Sequence, residues 1–242
     1  MSLYILLVAL AAAAAGAVSA VAGFGIGSTL TPLLAFQFDL KLAVAAASVP
    51  HFAGNLLRFL RLRRELDLRV FLGFGMMNVA GAAAGALLHT LAAPRLLAMI
   101  LGLSLVAVGI VGVSGYSERM RFGRVTAWIA GVLSGLFGAL VGNQGGIRAA
   151  AMLGLGVRKE AFVATATAIA LAVDFVRMPV YLMTQAPRMA AIWPVILTAA
   201  VAVLAGTLAG ETILRRIHEG LFRRVVTGLI GVIGVVLIIR AL

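Results

Sequence analysis

The 242-residue sequence contains no cysteine. That excludes a disulfide scaffold, a thiolate metal site and a cysteine nucleophile. Acid is scarce: Asp and Glu number eight, beside three His. Charged residues make up 12% of the chain, about half the share of a soluble domain. His51, His89 and His218 lie on different segments, and no H-E-x-x-H occurs. The loops are too short for a soluble catalytic domain. These absences argue against an enzyme, a bound metal or a cofactor. Residues 1–8 carry no Lys or Arg, so the basic region of a signal peptide is missing and the N-terminus is expected to be retained.

What fills the chain instead is apolar. Hydrophobic residues reach 63%, and the mean hydropathy is +1.13. A soluble domain of this size could not hide so much apolar side chain, so the expected solvent is a lipid bilayer. The net charge of +12 sits mostly between the apolar segments. That is where cytoplasmic loops carry charge, and it does not point to nucleic acid. Arginine outnumbers lysine 18 to 2, and alanine is abundant. This suggests a GC-rich bacterial genome, hence a multi-pass protein of the bacterial inner (plasma) membrane.

Eight long apolar segments fall at about 3–23, 42–60, 70–91, 95–115, 124–142, 160–184, 190–212 and 221–241. Most have the roughly 20 residues that a spanning helix needs. Two runs of half that length, at about 28–38 and 147–156, each follow a glycine cluster. A shift of 119 residues places Gly23 on Gly142, Gly27 on Gly146, Asn55 on Asp174 and Arg58 on Arg177. With a further gap of six, Gly81 and Gly85 fall on Gly206 and Gly210, and Gly109 on Gly234. The chain therefore divides into a first repeat at 1–115, a cytoplasmic linker at 116–123 and a second repeat at 124–242.

Arginines concentrate in the loops at 58–69, 116–124, 157–160 and 213–224, whereas the turns at 89–95 and 185–190 carry one each. With the rich loops inside, 124–157 begins and ends inside, and its counterpart 3–39 begins and ends outside. Each must enter the membrane and return. The expected fold is all-α: two inverted-topology repeats, each with a glycine-broken re-entrant or discontinuous helix plus three transmembrane helices.

The glycine clusters are the first candidates for chemistry. Residues 21–32 read VAGFGIGSTLTP and residues 140–151 read LVGNQGGIRAAA. Broken backbone at membrane depth is tolerated where protein or a watery cavity covers it. A half-helix restarting after the break aims its free N–H groups back at it, which suits an anion. Gly25, Gly27, Ser28 and Thr29 of the first cluster, and Asn143, Gln144, Gly145, Gly146 and Arg148 of the second, are the candidate substrate-binding residues. Ser28 and Thr29 offer hydroxyls, as does Thr31, and Asn143 and Gln144 offer amides. Arg148 offers a guanidinium suited to sulfonate or carboxylate oxygens. The plainer readings are close helix packing for the glycines and a snorkelling arginine for Arg148.

Coupling or gating candidates lie deeper in the segments. Asp174 and Arg177 share a helix face at i, i+3, with Asn55 and Arg58 as first-half counterparts. Arg58 lies nearer the loop and is expected to anchor it. His51 could titrate near neutral pH, so a proton-coupled cycle would use it or Asp174. The plainer readings are a structural ion pair and a satisfied core histidine. Thr165 and Thr167 are placed beside the same cavity, and Glu211 at the interface. The paired G-x-x-x-G motifs at Gly81 and Gly206 fit internal packing or dimerisation, so monomer and homodimer both remain open.

With Gly23, Gly25 and Gly27 followed by Pro32 and Leu33, the sequence resembles the sulfite exporter TauE/SafE family of membrane permeases. The second copy keeps Gly142 and Gly146 but has Ala151 where the proline is expected. The resemblance spans nearly the whole chain. It implies transport of a small sulfur-containing anion, such as sulfite or an organosulfonate. The expectation is a secondary transporter for such an anion, by alternating access around a mid-membrane site. An anion channel of the same fold, a membrane-embedded enzyme and an assembly subunit without cargo are the alternatives.

Overall fold

The computed structural model describes residues 2–114, 123–157, 159–213 and 231–240. Lipid offers the backbone no hydrogen bonds, so apolar segments satisfy their own N–H and C=O groups by coiling into helices. The order is α1 (Ser2–Ala22), a short α2 (Ile26–Ala35), α3 (Leu40–Leu62), a 3-10 turn (Arg63–Glu65), α4 (Leu68–Val70), a π turn (Phe71–Gly75), α5 (Met76–Leu91) and α6 (Pro94–Ser114). Then follow α7 (Arg124–Val141), the short α8 (Gly145–Gly154), α9 (Lys159–Ala191), α10 (Trp193–Ile213) and α11 (Gly231–Arg240). Among the described residues, six helices are long and apolar enough to cross a membrane.

The distribution of polarity is that of a protein in lipid. Met183 is 86% exposed, Leu91 81% and Leu3 70%, while Asn55, Thr165 and Asp174 are all at 0%. Large apolar side chains face outward and the polar groups face one another inside, as a bilayer demands. This is an all-helical, polytopic membrane protein.

Most helix boundaries follow the apolar segments to within a few residues. One expectation fails: no turn breaks the chain at 185–190. Helix α9 runs unbroken through Pro179 and Pro187 to Ala191. Proline removes one backbone donor but need not end a helix whose neighbours compensate. Beside Pro187, Thr184 Oγ1 donates to Val180 O at 2.9 Å and Arg188 Nη1 donates to Gln185 Oε1 at 3.2 Å, bonds separate from the ones the prolines remove. Arg188 also pairs with Asp39, whose carboxylate caps α3 by accepting from the amides of Lys41 and Leu42. Burial raises the Asp39 carboxyl, but Arg188 and those amides outweigh it and hold the group below its usual value. The contribution of this surface pair is present at neutral pH and is lost as pH falls through that lowered value.

Two interfaces are the most extensive: α5 on α7, and α1 on α10. Helix α3 packs on α9 and α10, and α9 also on α5. Close approach depends on glycine. A Cβ at Gly81 or Gly85 would overlap the carbonyls of Val132 and Leu136 on α7. A Cβ at Gly206 or Gly210 would overlap the backbone of Ala13 and Ala17 on α1. Val132 and Leu136 stand 119 residues after Ala13 and Ala17. The two interfaces are therefore one set of contacts, made once in each direction between the halves. Gly16 against Val203 O and Gly135 against Asn78 O follow the same exchange. Linker residues 116–122, Arg158, His218 and residues 221–230 of the last apolar segment fall outside the described residues, as does the side chain of Glu211.

Candidate functional site

The helix breaks bring the two glycine clusters together. Gly25 (φ 128°) precedes α2, and Gly142 (φ 77°) closes α7. Both take positive φ, a region that side-chain-bearing residues rarely enter. A Cβ at Gly27 would overlap Gly142 O and come within 3.8 Å of the His51 ring. A Cβ at Gly142 would collide with Thr31. The clusters are 119 residues apart in sequence, yet their backbones touch.

Side chains cross the same junction. Ser28 Oγ donates to Asn143 Oδ1 at 2.8 Å, and Asn143 Nδ2 donates to Ser104 Oγ on α6 at 3.0 Å. Ser134 Oγ donates to Gln144 O at 3.1 Å. The Gln144 side chain is buried with neither polar atom partnered, and Thr31 Oγ1 is in the same condition. Gly145 is filled against Phe24 and Gly146 against Val108. Thr29 is half-buried, and its amide donates to Gly25 O at 3.1 Å. Arg148 is 2% exposed, and its Nη1 has no hydrogen-bond partner.

A second polar cluster joins α3 to α9. His51 Nδ1 lies 2.8 Å from Asp174 Oδ2. Asp174 Oδ1 accepts from Arg177 Nε at 2.8 Å and Nη2 at 2.7 Å. Asn55 Nδ2 donates to His51 O at 2.8 Å, and Asn55 Oδ1 accepts from Arg58 Nη2. Arg58 is 2% exposed, so it is not the loop anchor expected from its place near the segment end. It turns inward to donate to Ser19 O. Arg177 Nη1 donates to Gly138 O at 2.6 Å. Gly138 stands 119 residues after Ser19, so the two arginines make equivalent bonds. Thr165 and Thr167 are both buried. Thr165 Oγ1 accepts the Asp67 amide at 2.9 Å, which ties the start of α4 to α9, whereas Thr167 Oγ1 has no partner.

The charges of this interior do not balance. Among the described residues, Arg58, Arg148 and Arg177 are buried, and Asp174 is the one buried carboxylate. With His51 neutral, two positive charges are left without an internal counterion. Arg148 feels the charges of Asp174, Arg177 and Arg58, so the clusters form one electrostatic unit. Among the described residues, no three His, Cys, Asp or Glu side chains converge on a metal position. The fold and this interior define a polytopic membrane protein with a buried cationic centre.

A family model narrows the class. The model described as Sulfite exporter TauE/SafE matches residues 8–237, and the chain belongs to that family. It is a membrane transporter. No curated protein and no solved structure matches it.

Several participants were not visible in the sequence. Ser104, Ser134, Ser19, Gly138 and Phe24 enter the site through contacts between distant segments. Ser104 and Ser134 could have been noticed as polar residues within apolar runs. Ser19 and Gly138 contribute backbone carbonyls, which no residue type announces. Asn78 is fully buried with both amide atoms unpartnered, and it too passed unremarked.

Proposed function

We propose that the chain is a secondary transporter that carries a small anion across the bacterial inner membrane by alternating access. The cargo class that fits best is a sulfur oxyanion or organosulfonate. Its binding site lies at the junction of the two glycine breaks. Arg148 supplies the charge, and Ser28, Asn143 and Gln144 orient the oxygens, with N–H groups at the starts of α2 and α8 adding positive potential. The observation that carries this reading is the buried charge imbalance, with Arg148 Nη1 unpartnered at its centre. An uncompensated buried guanidinium is costly, and a bound anion relieves that cost.

Alternating access rests on the repeat. We read the halves as inverted, with α1–α2 and α7–α8 as hairpins that enter and return. In support, Tyr4 near the start of α1 stacks edge-on against Phe38 just beyond α2, ring centroids 6.2 Å apart. The exchanged glycine contacts and the equivalent bonds of Arg58 and Arg177 support a two-fold relation between the halves. We assign the coupling of substrate movement to a proton to His51 and Asp174, and their contact across the α3–α9 interface supports this.

The test is uptake into proteoliposomes of sulfite, methanesulfonate, chloride and acetate. The expected result is saturable flux of the sulfur anions at carrier rates. Unsaturable, high-conductance flux would identify a channel instead. No flux of any of the four from folded protein would overturn the reading.

A further inference from the structure

The two halves treat their equivalent arginines differently. Arg177 Nε donates to the carboxylate of Asp174, three residues earlier, at 2.8 Å. Arg58 has Asn55 at that place, a neutral amide that accepts from Nη2 only. Arg58 Nε, the atom that Asp174 occupies in the other half, is buried and has no partner. Each arginine spends Nη1 on the equivalent carbonyl, Ser19 or Gly138. The halves thus share one arrangement of guanidinium and carbonyl, and they differ in whether an internal anion completes it.

We propose that Arg58 is a second anion-binding residue of the transport site, and that Asn55, standing where the other half has Asp174, leaves its guanidinium for the substrate. The inference rests on the anion-transport reading above. A buried guanidinium without a counterion needs one from outside. Arg58 and Arg148 repel each other, and each has one buried donor atom without a partner. Asn55 accepts from Arg58 and donates to His51 O, and the His51 ring lies 3.8 Å from a Cβ at Gly27, so Arg58 is tied to the glycine junction, where an oxyanion supplies the charge its guanidinium lacks. Arg177 is already neutralised by Asp174, so it holds the helices in place and does not compete for cargo.

The test places the missing carboxylate. Purified protein in nanodiscs at pH 7.5 is titrated with sulfite by calorimetry, and thermal unfolding is followed without ligand. Asn55→Asp is expected to weaken sulfite binding at least tenfold while raising the melting temperature of the empty protein, because the internal carboxylate takes the place of the ligand. Damage to the fold alone would lower both. Arg58→Gln, which leaves no guanidinium at 58, is also expected to weaken binding at least tenfold. If Asn55→Asp does not fold, Arg58→Gln decides the matter. Wild-type affinity in a folded Asn55→Asp or Arg58→Gln would overturn the assignment and leave the anion-transport reading intact. No binding of sulfite, methanesulfonate or acetate by the wild type itself would overturn that reading, and this assignment with it.

Discussion

Asp174→Ala is expected to be the most damaging single substitution in the described interior. It removes the one buried carboxylate and leaves Arg177, 2% exposed, with an unpaired charge. It also removes the acceptor of three contacts, from Arg177 Nε, Arg177 Nη2 and His51. Breaking a buried ion pair from one side costs about 3–5 kcal/mol, because the surviving charge keeps its desolvation penalty. That is a large part of the 5–15 kcal/mol that separates most folded proteins from unfolding. Thermal unfolding in detergent should therefore show a much lower melting temperature, and transport should be lost with it. The double variant Asp174→Asn with Arg177→Gln should recover much of the stability, since neither member is then left charged and alone. A melting temperature unchanged in Asp174→Ala would contradict the assignment of Asp174 as the counterion of this cluster.

Arg148→Ala is expected to act the other way round, sparing the fold and removing the function. The Nη1 of this arginine has no protein partner to lose, and its deletion relieves the burial cost and the repulsion by Arg58 and Arg177, against the loss of attraction to Asp174. Loss of a charged hydrogen-bonding partner for a substrate costs about 2–5 kcal/mol, or a roughly 30- to 4,000-fold loss of affinity. Sulfite flux into proteoliposomes should fall to that of empty vesicles at substrate levels that saturate the wild type. The melting temperature should hold or rise. Wild-type flux in Arg148→Ala would remove this residue from the site. The contrast between Asp174 and Arg148 is a signature of the charge imbalance: one group holds the interior together, and the other waits for cargo.

Much of this arrangement could be read before any coordinates. Long apolar runs without cysteine and with little charge become helices in lipid for a reason that needs no tertiary detail. Glycine clusters ahead of half-length runs marked where α2 and α8 would restart. Arg148, Asp174 and Arg177 stood out because charge inside an apolar run is expensive and therefore has a reason to be there. What was illegible is pairing at a distance. The contact between His51 and Asp174 joins residues 123 positions apart, and the Arg58 bond to Ser19 O spans 39. Periodicity speaks to a residue's own helix and not to its partners on others. Arg58 was misplaced because its segment was ended at about residue 60. The helix continues to Leu62, and a 3-10 turn follows, so Arg58 still has helical neighbours to bury it. The turn expected at 185–190 failed for a related reason. A proline gives up one backbone donor without having to end a helix, and α9 continues through Pro187 to Ala191.

If the buried positive charge exists to hold an anion, equilibrium binding reveals it without the need for a transport cycle. Wild-type protein in nanodiscs at pH 7.5 would be titrated with radiolabelled sulfite, against competition by methanesulfonate and by dimethyl sulfone, its uncharged relative. The predicted result is saturable binding of one sulfite per chain, displaced by methanesulfonate and untouched by dimethyl sulfone. Equal displacement by the uncharged compound, or no saturable binding by folded protein, would contradict the account.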